Sequence, residues 1–233
     1  RLIKKFNDPR VGCVAGHLRL TQRTDTNTTK GESLYWRFEH LLKKLESNLG
    51  QLLSANGGIF AARKKMISDL EPDVPNDFQI PMDIGAMGYK VLYVPDAVAF
   101  EKTSTDFKEE MNRKIRIINR TLRGYFKFRK KIRGLRSFEM FSHKLVRWFI
   151  GFFALIIFII SLLLANELLY LIIFLVQIIF YTLAIIGYFV DSDYRLIYTP
   201  FYICIIFVSS IIGVIKVIKG ENFTKWSPPN TSR

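Results

Sequence analysis

Few side chains in this 233-residue chain combine a reactive type with a useful spacing. His17, His40 and His143 lie far apart and lack the His-Glu-x-x-His spacing of a zinc helix, and Cys13 and Cys204 form no Cys-x-x-Cys pair. Both facts speak against a zinc site or a cysteine nucleophile. Ser33, Ser47 and Ser54 sit in no Gly-x-Ser-x-Gly elbow, which removes a serine hydrolase as well. What remains are carboxylates near glycines and arginines. Asp77 follows Pro75-Asn76 and precedes an apolar stretch, so taken alone it reads most simply as a helix N-cap, worth about 1 kcal/mol. A catalytic carboxylate is the competing reading. The order of features favours it: a Gly57-Gly58 turn, Asp77 at a helix start, a Gly88-Tyr89-x-Val91-x-Tyr93 strand, Ala97-x-x-x-Glu101, and Arg113-x-x-Arg116.

The elements that must hold these residues are legible from periodicity. Residues 11–20 predict a strand, 21–31 a polar loop, and 32–54 a helix whose buried face carries Leu34, Phe38, Leu41, Leu42, Leu45, Leu49 and Leu52. Asn56-Gly57-Gly58 breaks that helix. A short strand at 59–62, a helix at 77–87 and a strand at 89–94 ending at Pro95 follow. Residues 109–128 predict a helix with the apolar stripe Ile115, Ile118, Leu122 and Phe126. Its cations from Arg120 onward are expected to rest on anionic lipid. Alternating strands and helices imply an α/β layer. No Gly-rich phosphate loop follows a strand, and the chain opens on Arg1 with no signal peptide, so it is expected to be the second half of a larger domain.

Residues 148–165, 168–190 and 196–215 contain no Asp, Glu, Lys or Arg, and at 1.5 Å per residue each is long enough for a hydrocarbon core of roughly 30 Å. Three membrane helices are therefore expected. Residues 102–147 hold 15 Lys and Arg against four acids, an excess that marks the cytoplasmic side of the first span. Phe138, Met140, Phe141 and Leu145 among cations suit a helix lying in the interface over 137–147. The expected organisation is a soluble part at 1–136, the interfacial helix, a membrane region at 148–218 and a tail at 219–233.

In this order the motifs resemble the C-terminal half of a bacterial membrane-bound family 2 glycosyltransferase, the group of hyaluronan, cellulose and exopolysaccharide synthases. Asn7-Asp8-Pro9-Arg10-Val11-Gly12-Cys13-Val14-Ala15-Gly16 is similar to the strand after that family's metal-binding Asp-x-Asp. Tyr35-Trp36-Arg37-Phe38-Glu39 and Glu46-Ser47 resemble its next helix, Asn56-Gly57-Gly58 its acceptor-side turn, and Asn76-Asp77 its acidic catalytic pair. Gly88 to Ala97, Glu101, Arg113-Lys114-Ile115-Arg116 and the stretch from Ser142 to Trp148 continue the match, as does the tail from Trp226 to Arg233.

The resemblance implies a GT-A (Rossmann-like) α/β domain, here its second half, followed by the interfacial helix and three spans. It implies inverting transfer from a nucleotide-sugar, a UDP-sugar above all, to a glycan or lipid-linked acceptor at the cytoplasmic face of a bacterial inner membrane. Asp77 is the implied base, Arg113 and Arg116 the diphosphate partners, and Gly57, Gly58 and Asn76 the acceptor side. Mg²⁺ or Mn²⁺ is expected on an Asp-x-Asp outside this sequence, and the chain by itself is expected to be inactive. Two departures stand out: Arg113 and Ile117 occupy the Gln and Trp positions of the processive Gln-x-x-Arg-Trp motif, and Asn76 replaces an acid.

A net charge of +14 also fits a membrane-anchored adaptor that binds anionic lipid or nucleic acid through a basic helix. That reading leaves Asp77, the glycine turn and Glu101 unexplained, and nucleic acid is not an expected partner. A channel or transporter is disfavoured because the three apolar stretches hold no ionisable residue.

Overall fold

Strand β1 (Val11–Thr21) is the middle of a three-stranded sheet ordered β2-β1-β3 in the computed structural model, which describes residues 1–21, 26–102 and 106–223. Val11, Cys13, Val14 and Ala15 are all buried, so β1 is covered on both faces, which is why its residues run apolar instead of alternating. β2 (Phe60–Ala62) pairs antiparallel to it and β3 (Lys90–Lys102) parallel. β3 does not stop at Pro95 as expected. The register jumps from Gly16↔Val94 to His17↔Val98, so Pro95, Asp96 and Ala97 bulge out of the ladder and the strand resumes. An edge strand with a bulge is where a proline, lacking its N–H, is tolerated.

Helix α1 (Asn27–Asn48) begins within the expected loop. Thr26 and Thr29 form a reciprocal capping box, the Thr26 hydroxyl accepting from the Thr29 amide at 3.3 Å and the Thr29 hydroxyl from the Thr26 amide at 3.0 Å. Its faces are the reverse of the expectation. Leu34, Phe38, Leu41, Leu45 and Leu49 are between 41% and 57% exposed, whereas Glu32, Glu39, Lys43 and Glu46 are at most 7% exposed. The elements against this helix are strongly charged. Lys144 and Arg147 meet Glu39, while Arg113 meets Glu32. Buried charge demands paired charge, and the pairing decides which face turns inward.

Helix α2 (Asn76–Ala86) and α3 (Phe107–Phe128) complete the soluble layer. Ile118 and Leu122 of α3 join Leu53, Val74, Phe78, Met140, Trp148 and Val214 in one core cluster. The basic face of α3 contacts protein, contrary to the lipid-facing expectation. Arg120 donates to the carbonyls of Pro72 at 3.2 Å and Val74 at 3.1 Å, and Lys127 pairs with Glu71 at 2.8 Å and Asp73 at 2.6 Å.

The stretch expected as an interfacial helix, 137–147, is helical: α4 (Leu135–Glu139), a π-helical turn at Met140–Leu145 and α5 (Val146–Trp148). Phe138 and Phe141 are exposed on it while Met140 is buried. A 63° bend then leads into α6 (Ile150–Leu163), followed by α7 (Leu168–Phe189) and α8 (Arg195–Ile218). Among the described residues two helices, α7 and α8, are by themselves long and apolar enough to cross a membrane. α6 qualifies only when joined to the bent segment before it. Most of the expected tail lies outside the described residues.

Gly31 is where α1 meets α8. A Cβ there would stand 2.3 Å from Cβ of Tyr202. Gly31→Ala gains about 1 kcal/mol of helix propensity but forces overpacking worth about 1–3 kcal/mol, so a net fall in melting temperature in detergent is expected; an unchanged or higher value would contradict this packing.

Candidate active site

Asp77 lies in the first turn of α2, but the N-cap is Pro75 and no side chain caps the helix. The capping reading therefore fails, and the carboxylate is left for another task. Its backbone carbonyl accepts from the Ala55 amide at 2.7 Å, which ties the start of α2 to the segment ahead of the glycine turn. That turn is closed by the Ile59 amide donating to the Asn56 carbonyl at 2.9 Å. Its position on the sheet is fixed by the Asn56 side-chain amide donating to the Gly16 carbonyl at 2.5 Å.

Gly57 and Gly58 face opposite partners. A Cβ on Gly57 would be 3.3 Å from Oδ2 of Asp77, so the bare backbone is what permits the turn to press on the carboxylate. On Gly58 it would be 3.2 Å from Cδ1 of Leu18 and 3.9 Å from Oε2 of Glu101. The structure thus gathers Asp77, Gly57, Gly58 and Glu101 at one end of the sheet. Asn76 sits next to them, exposed, as the first residue of α2.

Lys43 was not singled out in the sequence, yet it is the cation of this site. Its Nζ donates to the Ala55 carbonyl at 3.2 Å and to Oδ1 of Asn56. Burial pushes the Asp77 carboxyl above the ordinary aspartate value, opposed by the charge of Lys43 and, less strongly, by its own backbone amide, Lys144 and the Gly57 amide. Burial likewise lowers the Lys43 ammonium to about 8, with Glu39, Asp77 and Glu46 favouring its charge and Lys144 opposing it. A signal for Lys43 did exist. Glu32, Glu39, Lys43 and Glu46 recur at steps of seven, four and three, a charged stripe that shares one helix face.

The two arginines are placed differently. Arg113 is held between Glu32 and Glu110, donating from Nε to Glu110 at 2.8 Å. Tyr202 donates to the other oxygen of Glu110 at 2.8 Å, and Lys114 stands 3.2 Å from it. Glu32 and Lys43 are eleven residues apart on α1, roughly 16 Å of helix, so the Arg113 cluster sits well along the domain from Asp77. Arg116 is half-buried, its charge disfavoured by burial and then by Arg120 and Arg113 on the same helix. Arg120 reaches the carbonyl of Val74, in the loop that runs into Asp77, and so links the arginine stripe to the carboxylate.

Residues distant in sequence also meet at His17. Its ring packs against His40 at a 39° tilt with centroids 3.9 Å apart, and its Nδ1 lies 2.5 Å from the Tyr93 hydroxyl. Burial pushes His40 down to about 4, with His17 adding to the shift, and also lowers His17. Among the described residues no three His, Cys, Asp or Glu side chains form a metal-holding group. The described residues therefore do not fit a divalent site.

A mixed sheet flanked by helices, with a carboxylate and a glycine turn at its end, makes this an α/β domain. The sequence profile of the family described as Glycosyl transferase family group 2 matches residues 2–189, and the chain belongs to that family. It is also 25% identical over 155 residues to an N-acetylglucosaminyltransferase of Rhizobium meliloti (strain 1021), covering 61% of this chain and 36% of that protein. The chain thus spans about a third of the length of the curated relative it matches.

Proposed function

We propose that the chain supplies the acceptor side of an inverting glycosyltransferase, with Asp77 as the base. A sugar hydroxyl lying over Gly57 and Gly58, beside Asn76, gives its proton to the Asp77 carboxylate as its oxygen attacks the anomeric carbon. The bond to the nucleotide diphosphate breaks on the opposite face, and Arg116 receives the developing charge, which it stabilises more in the transition state than in the ground state. Arg113, already engaged by Glu32 and Glu110, supports Arg116 more than it binds anion itself. The donor proposed is a UDP-sugar; the name of the relative makes UDP-N-acetylglucosamine the first to test. The acceptor proposed is a glycan or lipid-linked sugar at the cytoplasmic leaflet, the work being polysaccharide assembly. The observation that carries this reading is the Asp77 carboxylate: half-buried, freed from capping, pressed by the backbone of Gly57 and raised above the usual aspartate range.

Lys43 has a testable part in this. Removing its charge leaves burial less opposed, so the Asp77 pKa rises further and the base is lost at higher pH. In Lys43→Met the acid limb of the pH–rate profile is expected to move up by about one unit, the low end of what a nearby opposite charge contributes, and Lys43→Arg should restore part of it. An acid limb that stays in place in Lys43→Met would remove Lys43 from the chemistry.

A further inference from the structure

The two helices long enough to cross a bilayer have very different surroundings, α7 being 6% buried over its most apolar window and α8 39%. We propose that α8 does not cross: it lies along the leaflet beside the transferase domain, its outward residues Leu196, Val208, Ile215 and Ile218 seated in lipid, and the chain after Ile218 returns to the side that carries Asp77. This inference is independent of the base assigned to Asp77.

Both ends of α8 are tied to the soluble domain. Just before it, the Asn27 amide of α1 donates to Asp191 at 2.9 Å and Lys30 pairs with Asp193 at 2.5 Å. Just after it, the Glu221 carbonyl accepts from Asn119 at 3.2 Å and Arg123 at 2.6 Å, both on α3. Twenty-four residues rise about 36 Å, more than a hydrocarbon core of roughly 30 Å. A crossing would carry Glu221 to the face opposite Asn27, where α3 could not meet it.

The contacts between these ends run in the same sense. Tyr202 meets Glu110, Ser209 donates to the Met111 carbonyl at 3.5 Å, and Gly213 faces Ile118, where a Cβ would come within 3.0 Å. Val214 then enters the soluble core beside Phe78 and Trp148. The companion helix α3 has seven Lys and Arg and two Glu between Phe107 and Phe128. Such a helix cannot run through hydrocarbon, where each charge costs several kcal/mol, about 2.5–3.5 by insertion scales. The contacts of α8 with the hairpin also fall towards the hairpin's domain end. The Gly151 amide, in the first turn of α6, donates to Ser210 at 2.9 Å, and a Cβ on Gly187, near the end of α7, would be 2.9 Å from the Ile197 carbonyl.

Polarity points the same way. Ser209, Ser210, Gly213 and Tyr202 face protein, while Leu196, Val208, Ile215 and Ile218 are exposed. A helix that buries its small and polar residues together with Phe201, Ile205 and Val214 against protein, and leaves Leu196, Val208, Ile215 and Ile218 outward, fits a lipid surface on its outer side. The placement also puts Lys216 and Lys219 on the side of the basic 102–147 region, as the positive-inside rule requires.

Single cysteines read the sidedness directly. In a Cys13→Ala, Cys204→Ala background of the full chain in native membranes, Lys65→Cys reports the domain side, Asn166→Cys the tip of the α6–α7 turn, and Lys219→Cys the end of α8; all three positions are exposed. With an impermeant maleimide applied to sealed right-side-out and inverted vesicles, Lys219→Cys is expected to label in the preparation that labels Lys65→Cys and not in the one that labels Asn166→Cys. Labelling together with Asn166→Cys would show that α8 crosses and overturn the proposal.

Discussion

Asp77→Asn in the membrane-bound protein is expected to slow sugar transfer by about 10² to 10⁴-fold, the usual contribution of a positioned base, while affinity for the nucleotide-sugar and the melting temperature stay near those of the unaltered protein. Asparagine keeps the shape, so the Gly57 turn can still close against it. It cannot take a proton at any working pH. Folding has little to lose, because burial already disfavours the carboxylate, and the neutral amide avoids that cost. Donor affinity is spared because the proposed diphosphate partner, Arg116, is on α3. Steady-state transfer with UDP-N-acetylglucosamine, paired with a nucleotide-binding titration, separates the two effects. A parallel loss of binding and rate would mean that the residue holds the fold and not the proton.

Glu39→Gln is expected to cost about 3–5 kcal/mol of stability, because it leaves buried cations without their counter-charge. Lys144 lies 3.1 Å from one carboxylate oxygen and Arg147 2.5 Å from the other, and both belong to the segment that leads into α6. Burial alone would raise the Glu39 pKa; Lys144, Arg147 and Lys43 overcome it and hold the group well below the usual glutamate value. A depressed folded-state pKa contributes stability above the unfolded value, about 4.3, and that contribution is lost as pH falls through the folded value. The unaltered protein should therefore lose melting temperature in acid, below about pH 4, while Glu39→Gln should melt early at neutral pH and lose less on acidification. Thermal melts of both proteins across pH 3 to 7 check this, and matching curves would contradict it.

Local periodicity revealed much of the fold because strands and helices here obey it: β1, α2, α3 and the helix over the 168–190 stretch fall within a few residues of expectation. Orientation was less visible. The leucines of α1 form as clean a stripe as any buried face, yet the helix turns them outward because Arg113, Lys144 and Arg147 arrive from distant segments and require Glu32 and Glu39 inside. For the third apolar stretch hydropathy agrees with a helix long and apolar enough to cross, α8, but does not register that Ser209, Ser210 and Gly213 lie on the face that meets protein. Of the candidate site, Asp77 and the glycines were readable from their order. Lys43 and the paired rings of His17 and His40 were not, because their partnership exists only once β1, β3 and α1 close on one another.

The pH dependence of sugar transfer, measured side by side for the unaltered protein and for Asp77→Asn, bears on the base itself. An acid limb lying above the ordinary aspartate value of about 3.9, and absent from the residual rate of Asp77→Asn, is the expected result. Transfer by Asp77→Asn at close to the full rate, with the same acid limb, would mean that another group takes the proton.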